Sequence, residues 1–384
     1  MRPASQAERR RLNETFAALC AIPSPSGSER GVADAVASEL REMGLEVAED
    51  ATQAETGAGC GNLVVRIPSR REGARTILLG AHMDTVAVDG PIEPVVDEGL
   101  WTNARDAILG ADNKVAVAVL VEVARRVAVE GAPVGLELVF TTGEEVGLRG
   151  ARALDAAALR ARSGYVFDNA SPLGAIVVAS PTLYHFSATF HGLAAHAGVR
   201  PEAGRSAVLA AARAIAAMPQ GRIDAETTAN VASVRGGHET STNIVPDTCT
   251  ITGECRSLDD AQAEATLAAI VDAIHDGAND PANAVDVDVT SERHVRGFRL
   301  KPNDPVVAAA ERALRACGHE PSLVPTGGAS DANAFLAHGI AVVNLANGTE
   351  RNHQPDERVS VQALEGMLDV ALALLDACAE EDEI

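Results

Sequence analysis

TILLGAHMDTV, residues Thr76–Val86, decides the fold. An apolar run of strand length empties into His82, Met83 and Asp84, so an imidazole and a carboxylate two residues apart stand where a buried strand ends. Open α/β sheets keep their ligands at such strand ends. A metal-binding imidazole needs its second ring nitrogen held by an outer acceptor, and Asp84 is placed to supply one. Alone, a His-x-Asp pair serves ordinary hydrogen bonding more often than a site. Its recurrence at other strand ends is what matters.

Working outward, Ile108–Lys114 (ILGADNK) precedes an Ala/Val-rich helix expected from about Val115 to Val129. Asp112 stands before that helix, where an N-cap is the plain reading and a bridging metal ligand the alternative. The strand Leu136–Thr141 ends in Gly143, Glu144 and Glu145. Adjacent glutamates point different ways, which suits one metal ligand beside one general base. A further strand, Gly164–Phe167, delivers Asp168, and the late NGTERNHQPDERVS carries His353. His82, Asp112, Glu145, Asp168 and His353 thus form a set on loops leaving one sheet. Two imidazoles with three carboxylates suit two divalent ions, Zn2+ most naturally and Co2+ or Mn2+ as substitutes, with one carboxylate shared.

The flanks set the frame. Helices are expected at Gln6–Cys20, Ser28–Met43, Asp304–Cys317 and Val361–Ala377, and a strand at Leu63–Ile67. Between Leu183 and Thr290 the order changes to strand, helix, strand, strand, helix, strand, the βαββαβ order of a ferredoxin-like α+β layer. The expected division is therefore residues 1–182 with 298–384 as a catalytic α/β domain, a mixed sheet with helices on both faces, and 183–297 as an insertion. Within the insertion, His196 lies in GLAAHAG, Asn243 in TSTNIVP, and Arg256 ends a strand. PTGGASDANAF, with Gly328, is a glycine-rich turn opening a helix, whose amides suit an anionic or carbonyl group.

Composition excludes several classes of partner. The 384 residues carry 46% hydrophobic and 22% charged side chains, a globular balance long enough for two domains. A formal net charge of -22 argues against nucleic acid and anionic lipid surfaces. Six cysteines without a Cys-x-x-Cys pair read as thiols of a reducing compartment, and the N-terminus lacks a signal peptide's apolar region. The expectation is a cytoplasmic protein with no membrane span. His185, His191, His238, His275, His294, His319 and His338 read as surface or packing residues, and the tail EEDEI as solvated.

GAHMDTV, LGADNK, TTGEEVG, the aspartate after the following strand, AAHAG and the late HQPDE together resemble the dinuclear zinc aminoacylase, carboxypeptidase and peptidase T family. The resemblance covers nearly the whole chain, and EEVGLRGA, FDNASPLG and VRPEAGRSA are most similar to its peptidase T-like branch. It implies a zinc exopeptidase acting on short peptides. His82, Asp112 and Asp168 would hold one ion, and Asp112, Glu145 and His353 the other. Asp84 would orient His82, and Glu144 would be the general base, taking a proton from a metal-bridging water and giving it to the leaving amine. The inserted domain would be a dimerisation and lid domain making a homodimer, with His196 reaching the partner's site to stabilise the oxyanion. Asn243, Arg256 and Gly328 match substrate-holding positions, Arg256 facing a carboxylate. The HQPDE context departs from peptidase T proper, which keeps a carboxypeptidase or an N-acyl or N-carbamoyl amino-acid amidohydrolase open.

Overall fold

A computed structural model describes residues 1–237 and 240–380; His238 and residues 381–384 of the acidic tail lie outside the described residues. The chain divides into two compact units, Met1–Ala179 with Leu300–Ile384, and Ser180–Arg299. The sequence had put these joints at 182/183 and 297/298.

The first unit is built on a mixed sheet whose strands run, in spatial order, Val47–Glu49, Leu63–Ile67, Gly135–Thr141, Thr76–His82, Ser163–Asn169, Ala341–Ala346 and Ala175–Ser180. Thr76–His82 lies parallel to both of its neighbours, His82 opposite Thr141 and Gly80 opposite Val166. That register brings the carboxyl ends of three parallel strands to one edge, and the expected site residues with them. Burial on both faces explains the unbroken apolar run. Ile77, Leu79 and Ala81 pack into the core shared with the helix Ala111–Glu130. Gly80 faces the other way, where a Cβ would come 3.0 Å from Val166 and 3.3 Å from Phe335 of the helix Asp331–Ala337. A methyl there would make both side chains give by a few tenths of an ångström.

Gln6–Cys20 and Leu63–Ile67 take the bounds expected of them. The helix after ILGADNK runs regularly from Lys114, next to the expected Val115, because Asp112 and Asn113 before it have non-helical dihedrals. One feature departs from the sequence reading. A small antiparallel sheet, ordered Thr349–Glu350, Arg358–Ser360, Leu100–Asn103 and Pro94–Asp97, was not anticipated. Its strands are short and largely half-exposed, so they carry little of the alternation that marks a strand.

Helix Gln6–Cys20 is tied to helix Ala111–Glu130 by a buried ion pair, Arg126 Nε to Glu8 Oε1 at 2.6 Å. Burial opposes ionisation of Glu8, but Arg126, the Ser5 hydroxyl and Arg2 prevail and hold its carboxyl well below the usual carboxylate range. A depressed folded-state value means the stabilisation is complete above the unfolded glutamate range and drains away as pH falls through the folded one. Glu8→Ala strands the buried guanidinium, and urea unfolding at neutral pH is expected to show a loss of about 3–5 kcal/mol. The gap from the parent chain should narrow in acid.

The second unit is an antiparallel sheet ordered Gly221–Arg222, Thr227–Gly236, Thr248–Ser257, Thr182–His191, Asp286–Val295. Helices Ala207–Ala217 and Asp260–Ala278 close one face over Phe186, Ala188, Phe190, Ile251 and Cys255. Thr182–His191, Ala207–Ala217, Thr227–Gly236, Thr248–Ser257, Asp260–Ala278 and Asp286–Val295 follow one another in the βαββαβ order. No described helix is long and apolar enough to cross a membrane.

Candidate metal centre

His82 is the last residue of its strand and 2% exposed. Its Nδ1 lies 3.0 Å from the backbone oxygen of Asp84 and 3.5 Å from that residue's carboxylate. Its Nε2 faces Asp112 Oδ1 at 3.4 Å and Asp168 Oδ1 at 3.7 Å. The Asp84 carboxylate, fully buried, accepts from the Glu144 and Glu145 amides at 3.0 and 3.2 Å and from the Ser26 hydroxyl at 2.6 Å. So Asp84 aims the two glutamates as much as it aims the imidazole.

Asp112 does not cap its helix: its Oδ1 accepts no hydrogen bond. Instead its second oxygen, Oδ2, lies 3.3 Å from His353 Nε2 and accepts from Asn352 Nδ2 at 2.8 Å. The two oxygens of one buried carboxylate therefore face two different imidazoles. Glu145 Oε1 closes the far side, 3.1 Å from His353 Nε2. His353 reaches them from the loop joining Thr349–Glu350 to Arg358–Ser360, at φ 66°. A left-handed, non-glycine residue costs conformational energy that tertiary structure must offset, and such residues gather at functional sites. Asp168 is held through its backbone, its amide donating to Asn344 Oδ1 and its carbonyl accepting from Asn344 Nδ2, both at 2.9 Å.

The electrostatics follow from carboxylates outnumbering imidazoles in a buried space. Burial foremost, with the charge of Asp168, holds the Glu144 carboxyl well above the ordinary range. Burial with the charge of Asp112 pushes Asp168 up to about 7 despite His82. Burial works against a charged His82, yet Asp112, Asp168 and Asp84 hold its pKa well above the ordinary value. Asp112 and Glu145 raise His353 to about 10. The cluster gathers protons because it is rich in negative charge, and cations compete for the same lone pairs. Asp112 Oδ1 and Glu145 Oε1 are buried and face imidazole nitrogens at 3.4 and 3.1 Å without a well-formed hydrogen bond. Buried polar atoms are normally satisfied, so two orphaned carboxylate oxygens aimed into the cluster fit metal ligation. Donor atoms of His82, Asp112 and Glu145, and of His82, Glu144 and Asp168, lie within 4.8 Å of one another.

The structure thus brings His82, Asp84, Asp112, Glu144, Glu145, Asp168 and His353 together. The remaining expected residues are each placed within their own unit. Gly328 is in the first unit, its amide donating to Thr326 Oγ1 at 3.1 Å in the turn before helix Asp331–Ala337. His196 and Asn243 share a loop pair in the second unit: His196 bridges Ile244, and Asn243 O accepts from the Ala197 amide at 2.9 Å. Arg256 lies on that unit's sheet, where it is engaged by Glu254.

Two carboxylates escaped the sequence reading. Glu357, 1% exposed, accepts from the Gly110 and Asp112 amides at 2.7 and 2.8 Å, one with each oxygen. It is the last residue of the HQPDE run, four positions after His353, where a glutamate reads as loop surface. Asp331, 3% exposed, accepts from the Thr141 hydroxyl, and burial pushes its carboxyl to about 6. Its place at a helix start gave only a capping signal. Glu357→Gln turns one acceptor into a donor facing an amide and loosens Asp112. Metal-buffered activity titrations should show about a 10–100-fold loss of metal affinity in a folded chain.

The likeness to known proteins runs the length of the chain. A protein of Bacillus subtilis called uncharacterized protein YqjE is 37% identical over 372 residues, covering 97% of this chain and 99% of its own. The crystal structure of aminopeptidase PepT from Bacillus cereus matches with a TM-score of 0.88 at 39% identity, over 97% of this chain and 99% of that one. A tripeptidase from Staphylococcus aureus matches with a TM-score of 0.91 at 32% identity, over the same shares. With a match to the peptidase family M20/M25/M40 over residues 78–377, which spans the strand-end cluster from His82 to His353, the chain belongs to that family of metal-dependent hydrolases acting on peptide bonds.

Proposed function

We propose that the chain is a zinc exopeptidase of the tripeptide aminopeptidase type, cleaving short peptides with a free N-terminus. The observation that carries the dinuclear core of this reading is Asp112, whose two oxygens face His82 and His353 separately. His82, Asp112 and Asp168 would hold one ion and Asp112, Glu145 and His353 the other. When bound, the pair supplies a water acidified towards neutrality and a polarised scissile carbonyl. Glu144, with its amide fixed on Asp84 and its carboxyl raised by burial, accepts the water's proton and hands it to the leaving amine nitrogen. Asp84 keeps His82 and both glutamates aimed.

For the rest of the substrate, Arg256 forks onto the peptide's carboxylate, Asn243 and Gly328 bind its backbone, and His196 stabilises the oxyanion from the partner subunit of a homodimer built through the inserted unit. The names of the relatives, an aminopeptidase and a tripeptidase, favour peptides over N-acylated amino acids. Cysteines free of disulfides favour the cytoplasm. A panel of free, N-acylated and C-blocked di- and tripeptides, run on chelated and zinc-restored protein, tests the proposal. Release of the N-terminal residue from free tripeptides, lost on chelation and regained with zinc, is expected; hydrolysis of N-blocked substrates alone would overturn it in favour of an amidohydrolase.

A further inference from the structure

The sheet of the second unit buries one face under its helices and turns the other outward, and on the outward face three neighbouring strands set a row of ligand-type residues. His185 stands in the middle, opposite Glu254 on one side and Glu292 on the other. Residues directly opposite on one face have Cβ atoms about 4.5–5.5 Å apart, within mutual reach. His294, two residues past Glu292, lays its ring on that of His185, centroids 4.2 Å apart and planes 23° from parallel. His185 Nε2 is 4.0 Å from Glu254 Oε2, while Glu254 Oε1 accepts from Arg256 Nε at 2.9 Å. His294 Nδ1 is 4.0 Å from Glu292 Oε1. His185, Glu254 and Glu292 line a cavity of about 690 Å³ whose remaining wall includes Asn230, Thr252 and Thr290.

We propose that His185, His294 and Glu292 form a further metal site, for a borderline divalent ion of the zinc class, with Glu254 orienting His185. Donor atoms of the three already lie within 4.8 Å of one another. Ligands at about 2.0–2.2 Å from one ion sit no more than about 4.4 Å apart, and the two rings have to turn out of their stack before their in-plane lone pairs meet at one ion. Two imidazoles and a carboxylate select Zn2+, Co2+, Ni2+ or Cu2+ over Mg2+ or Ca2+, which prefer oxygen donors. Glu254, 4.0 Å from His185 Nε2, supplies the outer carboxylate towards which a ligating imidazole turns. The ion has structural work there. Asp286–Val295 ends the sheet, and its pairing with Thr182–His191 is irregular between Arg293 and Val295, next to His294. An ion held from both strands clips the edge strand where its hydrogen-bond ladder is interrupted.

Equilibrium dialysis of the full chain against zinc buffered at micromolar free ion, with ions counted by mass spectrometry, tests the site. The parent chain is expected to bind one ion per chain more than His185→Gln or His294→Gln, and Glu292→Gln to hold that extra ion more weakly. Equal counts in the parent and both histidine variants, each folded by circular dichroism, would overturn the proposal. So would an extra ion that magnesium supplies as well as zinc, the behaviour of a merely acidic surface. His82→Ala should lose ions elsewhere and keep this one, so failure of the dinuclear reading alters a different part of the count.

Discussion

Glu144→Gln is expected to lower kcat by about 10²–10⁴-fold, the share that a positioned general base contributes, while KM and bound metal stay unchanged. The amide copies the carboxylate's shape, and the anchor that aims this residue, the Glu144 amide on Asp84 Oδ1, is backbone and survives the substitution. What is lost is the capacity to accept a proton at that oxygen. Steady-state kinetics on a free tripeptide, paired with metal analysis, checks the outcome. The metal count is decisive because Glu144 also lies within ligand distance of His82 and Asp168. An ion lost together with the activity would make Glu144 a ligand and leave the base to be found elsewhere.

The second large effect is expected at Asp112. Asp112→Ala removes the one carboxylate that faces both imidazoles, and both ions should leave, whereas His353→Ala should release one. Lewis-acid assistance is worth several kcal/mol, so the aspartate variant should lose roughly a thousandfold or more in kcat/KM. Metal counting after dialysis, set beside kcat/KM, separates the two variants. Equal losses of metal in both would mean that Asp112 serves one ion only.

How far the sequence carried depended on whether a feature was periodic. Thr76–His82 and Gly135–Thr141 could be read because strands buried on both faces write continuous apolar runs, and polar residues that end such runs stand out. The same logic marked His82, Glu144, Glu145 and Asp168. The small sheet of Pro94–Asp97, Leu100–Asn103, Thr349–Glu350 and Arg358–Ser360 left no such trace, being short and largely half-exposed. Yet it is this sheet that carries the His353 loop.

From local order alone, then, the chain determined its two units, the strand ends that would bear chemistry, and the kinds of ligand offered there, because hydrophobic period and residue type act over a few positions. Only the tertiary structure decided that Asp112 turns away from its helix end to face His82 and His353, that Asp84 grips two backbone amides, and that Glu357 is buried beneath Gly110 and Asp112. Those outcomes depend on groups up to 247 positions apart meeting in space. A carboxylate's role is set by which donors surround it once water is excluded, and no short stretch of sequence contains that information.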